Sequence, residues 1–102
     1  MQWIKKFEDL IDFLSLVIVH APDDFPQEDY LRADEQLTLV KAFDELQGSM
    51  PLIKSRISDK QMFDQLAQTL KDSFAQYQAG NDVAGAHLLQ HFESLLLKAI
   101  QA

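Results

Sequence analysis

The pair His87 and His91 is the strongest candidate for metal chemistry in this sequence of 102 residues. The two histidines are four positions apart, so both imidazoles would lie on one face of a helix. Zinc sites use this spacing when Glu follows the first His and a third ligand completes the set, but Leu88 follows His87 here. We therefore predict no metal ion and no cofactor, and interpret both imidazoles as half-buried or interfacial. A metal-binding bundle built on this pair stays an alternative.

The sequence contains no motif that indicates nucleophilic or acid–base catalysis. His91 and Ser94 are close enough on a helix to hydrogen-bond, but no Gly-x-Ser-x-Gly motif is present, and a hydrolase also needs an oxyanion hole. Neighbouring carboxylates such as Asp23 and Asp24 point apart on a helix. The chain has no cysteine, which excludes a thiol nucleophile, a disulfide scaffold and an iron–sulfur cluster. We predict that the protein is not an enzyme.

The negative charge of the chain is concentrated in its first half. Residues 1–51 contain 11 acidic and 4 basic side chains, whereas residues 52–102 contain 5 of each, so the net charge of −7 arises in the first half. The stretch 23–35 is the densest part, with six acids and one base. Such a surface repels phosphates and anionic lipids and attracts basic proteins. We expect no direct contact with nucleic acid, because that needs Lys and Arg side chains to displace counterions.

The stretch 23–35 is the strongest candidate for a functional surface. Its acids are interleaved with aromatic side chains, which is typical of anchors at a protein–protein interface. A solvated loop followed by a helix start, where the helix dipole favours acids, would give the same composition. We predict that the stretch docks on a basic protein, and that reversing the four acids within 23–29 to Lys weakens binding and leaves the melting temperature nearly unchanged. The predicted partner-binding residues are Asp23, Asp24, Phe25, Glu28, Asp29, Tyr30, Asp34 and Glu35.

Apolar side chains spaced three and four positions apart predict two helices in the first half of the chain. Residues 3–20 carry the first apolar stripe. This stripe widens so much towards Val19 that the second half of the helix should be buried nearly all round. A second helix ends near Gln47, and its stripe begins at Leu31 and continues through Leu37, Val40, Phe43 and Leu46.

The second half of the chain predicts two further helices. The third opens at Ser58, whose hydroxyl forms a capping box with Gln61. Gly80 ends it, and Asn81 or Asp82 caps the fourth. The stripe of the fourth helix consists of Val83, Ala84, His87, Leu88, Phe92, Leu95, Leu96, Ala99 and Ile100.

The four amphipathic helices predict an all-α, single-domain bundle over residues 1–102, with antiparallel neighbours as the default. Residues 49–57 add a short helical turn. The longest apolar run spans residues 13–19, whereas a membrane span needs about twenty residues. Acids at positions 8, 9 and 12 interrupt the place where a signal sequence would have its apolar core. We expect a cytoplasmic protein that makes no contact with a membrane.

Three features resemble the immunity proteins that bacteria pair with toxic nucleases, including those of contact-dependent growth inhibition systems. These features are the amphipathic opening 3–14, the acidic stretch 23–35 and the helical run 86–96, in a small, cysteine-free chain. The resemblance implies a toxin-neutralising protein that binds a basic enzyme and blocks or distorts its active site. The physical logic agrees, because a nuclease cleft is positive to hold a polyanion and carboxylates can stand in for phosphates.

A helical adaptor, chaperone or complex subunit is the alternative function. The run 13–19 and the triple Leu95-Leu96-Leu97 contain more apolar side chains than one four-helix core can take, so a partner or a second copy would cover the rest. Salt separates the two hypotheses, because association through an acidic surface slows as ionic strength rises, whereas an apolar seam barely responds. The sequence leaves a monomer and a homodimer open.

Overall fold

Helices form all the regular structure in residues 3–21, 23, 25, 27 and 29–101, which the computed structural model describes. This confirms the predicted all-α fold class. Cα extents of 40 × 29 × 16 Å and a radius of gyration of 13.4 Å fit one bundle of this length. The elements are α1 (Phe7–His20), a 3-10 turn (Ala33–Glu35), α2 (Leu39–Gly48), α3 (Met50–Lys54), α4 (Lys60–Gln78) and α5 (Asp82–Gln101).

The first helix begins later than its apolar pattern predicts. Residues 3–6 are not helical. The Asp9 carboxylate accepts hydrogen bonds from the backbone N–H groups of Lys5 and Lys6, at 3.1 and 3.3 Å, and so caps the start of α1. The predicted burial of the second half is wrong at Val19, which is 72% exposed.

The second helix is shorter than predicted and is followed by the predicted short turn. Thr38 caps α2, since its Oγ1 accepts a hydrogen bond from the Lys41 N–H at 3.3 Å. Val40 was predicted in the apolar stripe but is 54% exposed, so the stripe lies on the other side of this turn. The helix α3 confirms the short turn predicted within 49–57. The buried face of α2 consists of Ala42, Phe43 and Leu46.

The helices α4 and α5 form an antiparallel hairpin, which is the most extensive helix pair of the bundle. The cap of α4 is Asp59 and not the predicted Ser58. The Asp59 carboxylate accepts from the N–H groups of Gln61 (2.9 Å) and Met62 (3.3 Å). A carboxylate here binds two amides that have no helical partner and also carries the charge that the helix dipole favours.

A Schellman motif ends α4 and reverses the chain within residues 79–81. The Asn81 N–H donates to the Gln76 carbonyl at 2.8 Å, and the Gly80 N–H donates to the Tyr77 carbonyl at 3.1 Å. Gly80 has a φ of +85°, which is why a residue without a Cβ occupies this position. The tight turn brings the next helix against the last turns of α4.

The apolar stripe predicted for the last helix is confirmed from Leu88 onwards, where its residues are buried or partly buried, and is wrong in the first turns of α5. Its buried line runs through Gly85, Leu89, Phe92 and Leu96, while the predicted Val83 is 71% exposed. A Cβ on Gly85 would lie 2.7 Å from the Tyr77 ring, so only glycine lets the two helices come this close. The predicted stripe was wrong at Val83, Ala84 and His87, all exposed, because a glycine at the closest contact adds nothing to an apolar pattern.

Aromatic stacking joins α2 to the hairpin. The Phe43 ring stacks on Phe74 with 4.8 Å between centroids and packs at a tilt against Tyr77 at 5.9 Å. The helix α1 contacts both α2 and α5, which closes the bundle. The N-terminal segment before α1 is thereby held beside α2.

Candidate acidic docking surface

The N-terminal segment places Trp3 between α1 and α2. Ile4 is buried, and its backbone N–H donates to the Glu45 carboxylate on α2 at 3.2 Å. The half-buried Trp3 ring packs against Phe13 of α1, with ring centroids 5.9 Å apart and an angle of 43°. One face of the indole therefore rests on the protein, while the ring stays open to solvent.

Two depressions meet at this tryptophan. The first, of about 260 Å³, lies between Trp3 and the residues of the 3-10 turn and α2. The second, of about 220 Å³, lies between Trp3 and α1. Carboxylates from all three elements line them, and we call this region the Trp3 surface. It comprises Trp3, Asp9, Asp12, Asp34, Glu35, Lys41, Asp44 and Glu45.

The Trp3 surface stays negative although two cations lie within reach of it. Lys41 directs its Nζ to the backbone carbonyls of Asp34 and Gln36, so it braces the 3-10 turn. Arg32 pairs with Glu35 at 3.0 Å and with Asp34 at 3.5 Å, both exposed pairs of small energetic weight. Among the described residues, no cation lies within ion-pair distance of Asp12 or Asp44.

The described residues of the predicted stretch 23–35 do not form one surface. Its last two acids, Asp34 and Glu35, belong to the Trp3 surface. Asp23, Asp29 and Tyr30 are exposed on the segment before the 3-10 turn, with Tyr30 at 68%, and line neither depression. Asp24 and Glu28 lie outside the described residues.

Phe25 requires a correction. The sequence predicted that its ring meets a partner, but Phe25 is only 7% exposed and belongs to the hydrophobic core. The ring anchors the acidic segment to the bundle, because burying it removes a large apolar area from water. The aromatic side chains that remain accessible in this acidic half are Tyr30 and the partly covered Trp3.

Sequence reasoning missed Trp3, Asp44 and Glu45. The tryptophan was counted in the stripe of a helix that begins only after it, and the two acids lie outside the stretch 23–35 that was singled out. One signal was available: the acidic pair Asp34-Glu35 recurs ten positions later as Asp44-Glu45. What the sequence could not give is the packing of the N-terminal segment beside both pairs.

Neither a metal cluster nor a membrane span is found in the part of the chain that the structure describes. His87 and His91 are both exposed. Within the described ranges, no three His, Cys, Asp or Glu residues are grouped so as to hold a metal ion. None of the helices there has the length and hydropathy to cross a membrane.

Comparison with known proteins returns no relative. No protein-family model matches the chain, and no curated protein or solved structure is significantly similar to it.

Proposed function

We propose that this chain is a non-enzymatic binding protein that neutralises a basic toxin enzyme, of the nuclease class, by docking the Trp3 surface on it. The observation that carries the proposal is the convergence of six carboxylates, from α1, the 3-10 turn and α2, around one half-buried tryptophan. Tryptophan is among the residues that contribute most when buried at an interface. The carboxylates supply the charge that orients and accelerates the encounter.

A nuclease fits this surface because its cleft must be positive to hold a polyanion. Carboxylates can occupy the positions of phosphates and accept the same charge-assisted hydrogen bonds from Arg and Lys. Electrostatic steering of this kind raises association rates by about 10- to 1000-fold at low salt. Fast capture suits a protein that must reach a toxin before the toxin reaches its substrate.

The adaptor hypothesis loses part of its support in the folded chain. Of the run 13–19, Phe13, Leu14 and Val17 are buried, and the triple 95–97 is buried or half-buried throughout. The large apolar side chains with high exposure in the described residues lie on four separate segments. An apolar partner surface is therefore the weaker hypothesis, and it becomes an outcome of the experiment below.

A pull-down with the tagged protein from the native cell lysate, washed at low and at high salt, tests the proposal. We expect one basic protein, recovered nearly stoichiometrically at low salt and depleted at high salt. The purified partner should cleave nucleic acid, and addition of this chain at one equivalent should stop the cleavage. Recovery of the subunits of a large assembly, or binding that salt does not change, would favour the adaptor.

Three matched variants identify which acids carry the docking. Each replaces two exposed acids by Lys, so each changes the net charge equally: Asp34 and Asp44 on the Trp3 surface, Asp23 and Asp29 before it, and Asp64 and Asp72 on α4 as the control. We expect the first variant to slow association most, the second less, and the control least. All three should melt close to the wild type, because none of the six residues is buried.

Equal association rates for the Trp3-surface variant and the α4 control would mean that the acids act only through net charge. The proposal would then fail, whatever protein the pull-down recovers.

A further inference from the structure

The free end of the α4–α5 hairpin contains a third depression, of about 520 Å³, whose lining carries more cations than acids. Its apolar wall consists of Ile57, Met62 and Ala99, which are partly buried. Two cations, Arg56 and Lys98, stand at its edge. It shares no lining residue with the Trp3 surface. The volume falls within the range of about 300–1,000 Å³ that is usual for small-molecule sites.

Arg56 contacts an aromatic ring at this edge. Its guanidinium carbon lies 4.7 Å from the centre of the Phe7 ring, within the distance of a cation–π contact. Among the described residues, its N–H groups have no carboxylate partner. The flat guanidinium matches the two oxygens of a carboxylate.

Neither cation has a carboxylate partner among the described residues. The ion pairs found there involve Arg32 and Lys60, not Arg56 or Lys98. Asp59 also lines the depression, where its charge is partly balanced by the N-terminus of α4 that it caps, so two cations face one acid there. Both side chains are exposed, so a ligand can reach them.

We propose that this depression binds a small anionic amphiphile, with an apolar body against Ile57, Met62 and Ala99 and a single carboxylate held by Arg56 and Lys98. The apolar wall supplies affinity through the area removed from water. The two cations supply the preference for a negative head group, since a charge-assisted hydrogen bond is about twice as strong as a neutral one.

Titration with sodium decanoate, followed by NMR, tests this site. We expect the signals of Ile57, Met62 and Ala99 to shift, and the neutral analogue decanol to bind about tenfold more weakly because it lacks the charge-assisted bonds. The double variant Arg56→Gln, Lys98→Gln should lose about tenfold in affinity for decanoate and leave decanol unchanged. The matched control, Lys60→Gln with Lys71→Gln, removes the same charge from the exposed side of α4 and should bind as the wild type does.

Two further variants keep the test decisive. Lys98→Gln alone replaces one exposed side chain and keeps the contact between Arg56 and Phe7. A loss of affinity in this variant would therefore come from the missing charge and not from disturbed folding. Ala99→Leu fills the apolar wall and should abolish binding of both compounds. Equal affinities for decanoate and decanol, equal affinities in the double variant and its control, or shifts confined to other residues would overturn the proposal. None of these results bears on the Trp3 surface, so the two proposals fail separately.

Discussion

The turn end of the α4–α5 hairpin is closed by direct helix contact, whereas the free end is left open as a depression. At the turn end, the Gly85 backbone lies against the Tyr77 ring, and the Ser73 hydroxyl donates to the Gly85 carbonyl at 2.7 Å. At the free end, Met62 and Ala99 border about 520 Å³ of accessible space. A small residue therefore has two outcomes in this hairpin: at Gly85 the opposite helix fills the space, whereas at Ala99 the space stays open.

The helix positions at both ends of the hairpin depend on the hydrophobic core between them. Substitutions in this core should therefore cause the largest loss of stability. Leu66 on α4 and Phe92 on α5 are fully buried. Phe92→Ala should cost about 3–5 kcal/mol and Leu66→Ala about 2–5 kcal/mol of unfolding free energy. Val83→Ala on the exposed side of α5 is the control and should stay within about 0.5 kcal/mol. Chemical denaturation measures all three, and losses near zero in the core variants would show that these helix faces are misplaced.

Adding side-chain carbon at each end tests the contrast directly. Gly85→Ala forces the new Cβ to within 2.7 Å of the buried Tyr77 ring, which should cost about 1–3 kcal/mol. Ala99→Leu adds three carbons at the open end and should change stability by no more than about 0.5 kcal/mol. If thermal melts show that both variants are equally destabilised, the free end is packed and the contrast is lost.

The hydroxyl at the turn end should contribute less than the close contact. Ser73→Ala removes the hydrogen bond to the Gly85 carbonyl, at an expected cost of about 1 kcal/mol. Thr69→Val is a suitable comparison, because the Thr69 hydroxyl bonds only to the Gln65 carbonyl one turn back in its own helix. Denaturation midpoints should fall further for the Ser73 variant, and the reverse order would mean that the bond between helices adds nothing.

The smallest effect concerns the Tyr77 hydroxyl, which is buried without a hydrogen-bond partner among the described residues. Burial, with a smaller contribution from Asp82, raises the pKa of Tyr77 above its ordinary value of 10.0. Above pH 10 the unfolded chain therefore loses a proton that the folded chain retains, so stability should fall as pH rises. Tyr77→Phe should remove this part of the alkaline loss and leave neutral stability equal or slightly higher. A variant that is less stable at neutral pH would reveal a partner for the hydroxyl.

The spacing of apolar residues predicted the fold class correctly, because a helical pattern is defined by many side chains together. A few errors in the predicted burial do not change the assignment of a helix. The burial predicted for Val19 and Val40 was therefore wrong without any effect on the all-α prediction. Single contacts are another matter. The close contact at the start of α5 was missed because Gly85 forms it, and Gly85 carries no apolar side chain that a pattern could count.

The candidate site was predicted only where charge alone defines it. Asp34 and Glu35 were found from local charge density, but Asp44, Glu45 and Trp3 join them through a long-range contact, the Ile4 N–H to the Glu45 carboxylate. Phe25 was misassigned because an aromatic between acids has the same local sequence whether it faces solvent or the core. Burial of one ring is a tertiary property, and local patterns do not contain it.

Trp3 is the only tryptophan of the chain, and it lies at the centre of the acidic surface, half-covered by Phe13. Indole emission depends on local polarity, so the whole tryptophan fluorescence of the protein arises from the surface proposed to dock. The depression at the free end of the hairpin shares no lining residue with the surface around this indole. A change in tryptophan emission therefore reports on the surroundings of Trp3 itself, without any label.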